Sequence, residues 1–367
     1  MRTDRSVFDS HSVRNADKGS AKQVRIRDLR AILGLDAATG IVHVEPGVTV
    51  GEITTYLLQH HLQLECCLEM EDATLGGLAM AQGMTTHSHV CGLLSETVVA
   101  YEVVTGTGDV LHVTRDDAQH ADLFRALPLS HGTLGFLVGL QLRVVPAKAW
   151  VELTYTPCRT FEAFRAGYTR VLDQAAREDP GTPFFVEGIA FGREEAVLME
   201  GRLVDGDGSD GHAVNRIGWW FKPWFFKHVE AMLRQPEDSV TELIPIRDYL
   251  MRHDRSMCMT MATIIPYGNH PVFRFLLGWL LPPQMSFLKS NRNKETREMS
   301  IRKQCFQDVA FPARELGAAL DVSDKLFGIY PLLVYPCKMR SDPGALLRAG
   351  PGAVALASSG GKHSWNL

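Results

Sequence analysis

A chain of 367 residues has the length of about two domains. Hydrophobic residues make up 45% and charged residues 22%, so it buries an ordinary core and is neither fibrous nor extensively disordered. A formal net charge of −4 leaves no basic footprint for nucleic acid.

In chain order, the stretch around Arg27-Asp-Leu-Arg leads into Ile41-Val-His-Val-Glu-Pro-Gly47, a short strand broken by Pro46. A helix follows, with Thr49 and Glu52 at capping-box spacing and Ile53, Leu57 and Leu58 on its apolar side. Next comes Thr74-Leu-Gly-Gly-Leu-Ala-Met-Ala-Gln-Gly-Met-Thr-Thr-His-Ser-His-Val-Cys-Gly92, which reads as a helix start, a short helix and a polar turn. Thr74 is expected to cap the first turn. Leu75, Gly76 and Gly77 bring exposed amides forward with no Cβ at the glycines to block a ligand. Such amides, together with the helix dipole, favour a phosphate-like group. Gly83 is read as the C-terminal stop, and Thr85, Thr86, Ser88, His89 and Gly92 as polar or small contacts beyond it. A tightly packed helix using glycine for close contact is the alternative.

Thr97–Thr105 is rich in β-branched residues and turns at Gly106-Thr-Gly-Asp109 into Val110–Thr114, a hairpin. A helical Ala118–Leu127 precedes Ser130-His-Gly-Thr-Leu-Gly-Phe-Leu-Val138, where Thr133, Gly135, Phe136 and Val138 open a strand ending at Pro146. The whole is an α+β pattern with two glycine sites, and its boundary is expected near Ala147–Trp150. A second α+β domain then runs over 149–337. From 338 to 367 the chain is a Gly/Ala/Pro/Ser run, the composition of a disordered tail.

Other chemistries fit less well. The seven cysteines are odd in number and form no Cys-x-x-Cys pair, and the N-terminus does not read as a signal peptide, which favours a reducing compartment. His87-Ser-His-Val-Cys91 lacks the common spacing of a closed zinc site, so histidines with a structural role or beside a bound cofactor are expected and no metal. The acidic loop 205–212 has no bidentate Glu where a calcium loop needs one. Gly106-Thr-Gly108 lacks the third glycine and following helix of a nicotinamide-binding Rossmann turn. No run of 18 apolar residues offers a membrane span. Trp219, Trp220 and Trp224 with neighbouring lysines, and the apolar Phe273–Pro283, have the character of segments lying on a bilayer surface.

Val44-Glu-Pro-Gly-Val-Thr-Val-Gly51, Ala73-Thr-Leu-Gly-Gly77 and Gly132-Thr-Leu-Gly-Phe-Leu-Val138 resemble the FAD-binding domain of PCMH-type, vanillyl-alcohol oxidase-like flavoproteins. Phe185-Val-Glu-Gly188, Trp220-Phe-Lys-Pro-Trp-Phe-Phe-Lys-His-Val-Glu230, Ile264-Ile-Pro-Tyr-Gly-Asn269 and Gly278-Trp-Leu-Leu-Pro-Pro283 resemble the delta-24-sterol reductase (Diminuto/seladin) family in order and spacing. The resemblance implies a PCMH-type domain over 1–148 with much of its first lobe missing, and a substrate or cap domain over 149–337. It also implies FAD and NADPH as cofactors, a sterol as substrate and the endoplasmic-reticulum membrane as location, with the cytoplasm as alternative. Glu187 and the run Arg252-His253-Asp-Arg255 are the candidates for acid or orienting roles. Where the family carries bulky aromatics and then an acid, this chain has Met257-Cys-Met-Thr260. A related flavin oxidase of small alcohols or lactones, or a non-catalytic relative that binds sterol or membrane, are the other readings.

Overall fold

The protein is described here from a computed structural model, over residues 2–4, 22–81, 83–206, 211–256, 259–281, 306–338 and 353–359. Met257, Cys258, Cys305, Pro282–Pro283 and half of the acidic loop at 205–212 lie outside the described residues.

Strands β1 (Arg2–Thr3) and β2 (Gln23–Val24) make a small parallel pair. A six-stranded sheet follows, built from β3 (Ile32–Asp36), β4 (Ile41–Val44), β5 (Leu62–Leu64), β6 (Val98–Val104), β7 (Val110–Thr114) and β8 (Phe136–Pro146). Its order is β3-β4-β8-β6-β7, with β5 paired to the far end of β8. The reading of β6 and β7 as a hairpin holds, and Gly108 at its turn has φ +94°. Helix Val50–Leu58 begins with the expected capping box. The Thr49 amide donates to Glu52 Oε2 at 2.9 Å, and the Glu52 amide to Thr49 Oγ1 at 3.2 Å. Helix Ala121–Ala126 is shorter than its sequence pattern because Asp117 captures the amides of Gln119 and His120 in a side-chain turn, which delays the helix start.

An eight-stranded sheet contains β9 (Trp150–Cys158), β10 (Phe185–Ala190), β11 (Ala196–Val204), β12 (Ala213–Val214), β13 (Val240–Pro245), β14 (Phe306–Pro312), β15 (Leu332–Cys337) and β16 (Ala353–Ser359). The order is β12-β13-β9-β11-β10-β15-β16-β14. Strand β16 lies inside the run expected to be a disordered tail, between β14 and β15. The Gly-Pro-Gly residues just before it dominated that expectation, whereas 353–359 itself contains neither glycine nor proline.

Strand β10 is buried on both faces, and its alternation positions the site. Val186 and Ala190 turn toward helices Phe161–Ala176 and Leu316–Leu326, in a core with Phe164, Tyr168 and Val171. Gly188 on that face meets the Phe164 and Tyr168 rings, where a Cβ would lie 2.5 Å from the Tyr168 hydroxyl. Phe185 and Ile189 turn the other way, into the large core shared with the first sheet, helix Phe225–Met232 and Tyr335 of β15. Glu187 lies between them, so a carboxylate is built into an apolar face. Among the described residues no helix is long and apolar enough to cross a membrane.

Candidate functional site

The glycine segment takes a form only partly foreseen. Helix Leu75–Ala79 starts at Thr74, whose side chain makes no cap; its backbone bridges to Thr49 instead. Leu75 is buried, and Gly76 sits against Pro46, where a Cβ would lie 2.4 Å from the proline Cβ. Gly76 therefore serves close packing. Gly83 is not the helix stop either: the helix closes at Met80 in ordinary αR geometry, and Gly83 packs on Leu94, 2.7 Å from an added Cβ. Gly92 does close its helix with a positive φ, +80° after Ser88–Cys91.

Beyond Gly83 the polar residues are turned inward. Thr85 Oγ1 donates to the Cys67 carbonyl and contacts Glu69 Oε1 at 2.8 Å, and the Thr85 amide donates to Ser88 Oγ at 2.9 Å. The Thr86 carbonyl accepts from the Val186 amide of β10 at 2.8 Å. His87 bonds through Nδ1 to the Phe184 carbonyl and stacks on the Phe184 ring, while His89 Nε2 reaches the Pro183 carbonyl at 2.8 Å. Burial holds both imidazoles down to about 4, so both are neutral at physiological pH. These residues join the two sheets. Their small, polar character signalled a close contact, and the strand from Pro183 to Val186 makes one.

The parts of the nominated surface that remain open are elsewhere. Gly77 is exposed, as are Gly132 and Thr133. The turn they share is tied to the end of helix Leu75–Ala79 by the His131 amide, which donates to the Met80 carbonyl at 3.0 Å. Gly132 has φ +76° with no neighbour against an added Cβ except a distant Gly135 carbonyl. Gly135 itself is required for packing on Val103 and Val104, and Phe136 and Val138 begin β8 half-buried.

A buried charge cluster stands where the two sheets meet. Arg252 donates through Nε to Glu187 Oε2 at 2.9 Å and through Nη1 to the Tyr249 carbonyl, and it reaches Glu69 Oε1 at 3.4 Å. Its guanidinium lies 4.3 Å from the Tyr249 ring centroid and 5.7 Å from that of Phe225. His253 Nε2 meets Glu187 Oε1 at 2.7 Å, and the Tyr335 hydroxyl approaches the same oxygen at 3.5 Å. Burial would raise the Glu187 carboxyl, but Arg252 and then His253 outweigh it and hold it at about 2. Glu187 is therefore a carboxylate, which makes His253 Nε2 the donor. His253 Nδ1 is buried with no hydrogen-bond partner among the described residues.

The structure thus brings Glu187, Arg252 and His253 together and separates Arg255 from them. Arg255 donates to the carbonyls of Ile217, Trp220, Lys222 and Pro223 and so braces that loop. Glu69, Tyr249 and Tyr335 were missed by sequence reasoning. For Glu69 a signal existed: a lone acid in the apolar Cys66-Cys-Leu-Glu-Met70 stretch just ahead of the glycine segment. Trp224, expected on a membrane-facing surface, is 3% exposed and packs under Gly268. Among the described residues no group of His, Cys, Asp and Glu could hold a metal ion.

Comparison with known proteins identifies the family. A family profile for an FAD binding domain matches residues 9–114. Human delta(24)-sterol reductase is 38% identical over 327 residues, 89% of this chain and 61% of that protein. The Arabidopsis thaliana enzyme is 33% identical over 346 residues, 93% of this chain and 61% of its own length. The delta(24)-sterol reductase homologue of Caenorhabditis elegans is 32% identical over 361 residues, covering 94% of this chain and 68% of the relative. This chain belongs to the delta(24)-sterol reductase family. It spans about 61% of the length of the human and plant relatives. D-arabinono-1,4-lactone oxidase of Candida glabrata is 32% identical over 106 residues, only 29% of this chain.

In this member of the delta(24)-sterol reductase family, Asp254 adds a second link between the sheets. Its Oδ1 accepts the Glu71 amide at 2.9 Å, while Oδ2 is buried with no hydrogen-bond partner among the described residues. Burial pushes its carboxyl up to about 8, against 3.8 for an ordinary Asp. Between those values the folded state holds a proton that the unfolded state has released, so stability falls as pH rises through that window. Asp254→Asn keeps an acceptor for the Glu71 amide and removes the titration. Denaturant melts compared pH by pH should show the stability of wild type relative to the variant falling on the order of a few kcal/mol from pH 4 to 8, the opposing contribution of His87 and His89 being common to both.

Proposed function

We propose that this chain reduces a side-chain double bond of a sterol with FAD as cofactor and NADPH as reductant, on a membrane surface, as its resemblance to the endoplasmic-reticulum family implies. The observation that carries the reading is 32–38% identity to delta(24)-sterol reductases across both sheets, not the cofactor unit alone. The lactone oxidase match stops within 29% of the chain and supports only the cofactor unit, so a small-alcohol or lactone oxidase is the weaker reading.

The exposed Gly77, Gly132 and Thr133 support FAD binding, because the two glycines have no Cβ to hold a ligand off the backbone and Gly132 has open space beside it. Bound there, FAD would supply hydride chemistry, which no side chain provides. The chain's own contribution lies in the charge cluster. An isolated alkene needs a proton as hydride arrives, and ionised Glu187 cannot give one near neutral pH. His253 takes the donor role in this reading as the doubly protonated imidazolium, giving up the Nδ1 proton while Nε2–H stays on Glu187. Glu187 fixes the ring through Nε2, which leaves Nδ1 as the atom without a partner. Thr260, at the position where the resemblance implies an acid, offers only a buried hydroxyl with no hydrogen-bond partner among the described residues. The apolar walls of Phe225, Tyr249 and Tyr335 exclude water around the cluster.

Membrane contact falls to Trp219 and Trp220, 48% and 44% exposed, together with Phe275 at 67% and Trp279 at 65%. The flavin reading is tested by the absorption spectrum of the purified chain and its response to anaerobic NADPH. A flavin band that bleaches is expected. A chain without flavin after reconstitution would sink it.

A further inference from the structure

Arg274 lies in helix Pro271–Leu277 and is the buried residue of an otherwise exposed surface helix. It is 8% exposed, and its Nε and Nη1 are covered with no hydrogen-bond partner among the described residues. A guanidinium removed from water is costly unless an anion meets it. The nearest comparison is Arg255, which has four backbone carbonyls as acceptors. Burial, and then the charge of Arg274, pull Arg255 down to about 10, which puts the two cations in electrical range of each other. Asp248, the carboxylate that acts on Arg255, already accepts the Gly218 amide.

The surroundings identify the anion's setting. Phe275, Leu276, Trp279 and Leu280 are more than half exposed beside Arg274. Gly278 backs onto the loop of Trp219 and Trp220, where an added Cβ would lie 2.9 Å from the Trp220 carbonyl oxygen, so helix and loop form one face. A cation lacking an acceptor within a rim of exposed aromatic and aliphatic side chains complements a phosphate attached to an apolar body. A free soluble anion would have no use for that rim.

We infer that Arg274, within range of the Arg255 charge, receives the headgroup of an anionic phospholipid, whose negative charge no choline ammonium offsets, while the surrounding apolar side chains enter the bilayer surface. The inference rests on the reading that this face meets a membrane, and it adds a headgroup preference to that reading. It is tested by flotation of the full chain with vesicles of phosphatidylcholine alone or mixed with phosphatidylserine. Wild type should favour the anionic vesicles by about fivefold or more, the scale of one basic residue at a charged surface. Arg274→Gln should lose that preference and bind neutral vesicles as wild type does, whereas Arg274→Lys should retain it. The pair Trp220→Ala and Trp279→Ala should lose binding to both. Because Arg274→Lys reports on charge in an intact helix, misfolding of the glutamine variant leaves the test standing: a lysine variant that binds both vesicles equally counts against the inference. Equal binding by wild type, or an unchanged preference in Arg274→Gln, overturns the inference while the membrane reading survives. No binding by wild type to either vesicle overturns both. Removal of the preference by NADPH would assign the guanidinium to the dinucleotide's phosphate and overturn the lipid assignment.

Discussion

Replacing Arg252 with methionine is expected to destabilise the protein by about 3–5 kcal/mol, the range for breaking a buried ion pair from one side. Methionine fills comparable apolar volume, so the loss reports the charge and not a cavity. Without the guanidinium, Glu187 retains His253 and the distant Tyr335 hydroxyl, and Glu69 retains Thr85. Both carboxylates stay buried, and one belongs to each side of the junction between the sheets. Urea unfolding at neutral pH provides the measurement, and the Glu187→Gln/Arg252→Met double variant should recover part of the loss because it removes a stranded charge. A cost below about 1 kcal/mol would show that the cluster is screened as surface pairs are.

Glu187→Gln is expected to lower turnover on the order of a hundredfold, the scale of a mispositioned acid–base group, with flavin content retained. The amide offers a single acceptor oxygen where the carboxylate serves both Arg252 and His253. One donor is left unsatisfied, at a cost of about 1–3 kcal/mol. The imidazole then loses both its orientation and the carboxylate that its Nε2–H faces. A role in holding His253 requires that the pH dependence of turnover shift together with its size. Unchanged pH dependence with reduced stability would leave Glu187 a purely structural residue.

Much of the first unit was legible because its signals are local. The Thr49 and Glu52 capping box, the β6–β7 hairpin and the long β8 follow from spacing and β-branching over a few residues. Glu187, Arg252 and His253 were also legible as chemistry, since charged residues inside apolar stretches carry a reason. What stayed hidden was which partner each would find. Glu69 and Arg252 are 183 residues apart, and no local pattern connects them. The same limit explains Thr85–His89: their small and polar character marked a close backbone approach, and the approaching group is the strand from Pro183 to Val186. Arg255 and Trp224 show the converse error. Each sits in a stretch whose composition suited a site or a surface, yet tertiary packing turned Arg255 onto backbone carbonyls and Trp224 under Gly268.

The central claim is that this chain's two units together pass reducing equivalents to a sterol side chain. The most direct measurement follows the flavin spectrum of the reconstituted full chain, reduced anaerobically by NADPH, after addition of a sterol carrying a side-chain double bond. The account predicts return of the oxidised spectrum and a product heavier by two hydrogens, with the saturated sterol giving neither. Reoxidation by oxygen alone, with the unsaturated sterol unchanged, would contradict it.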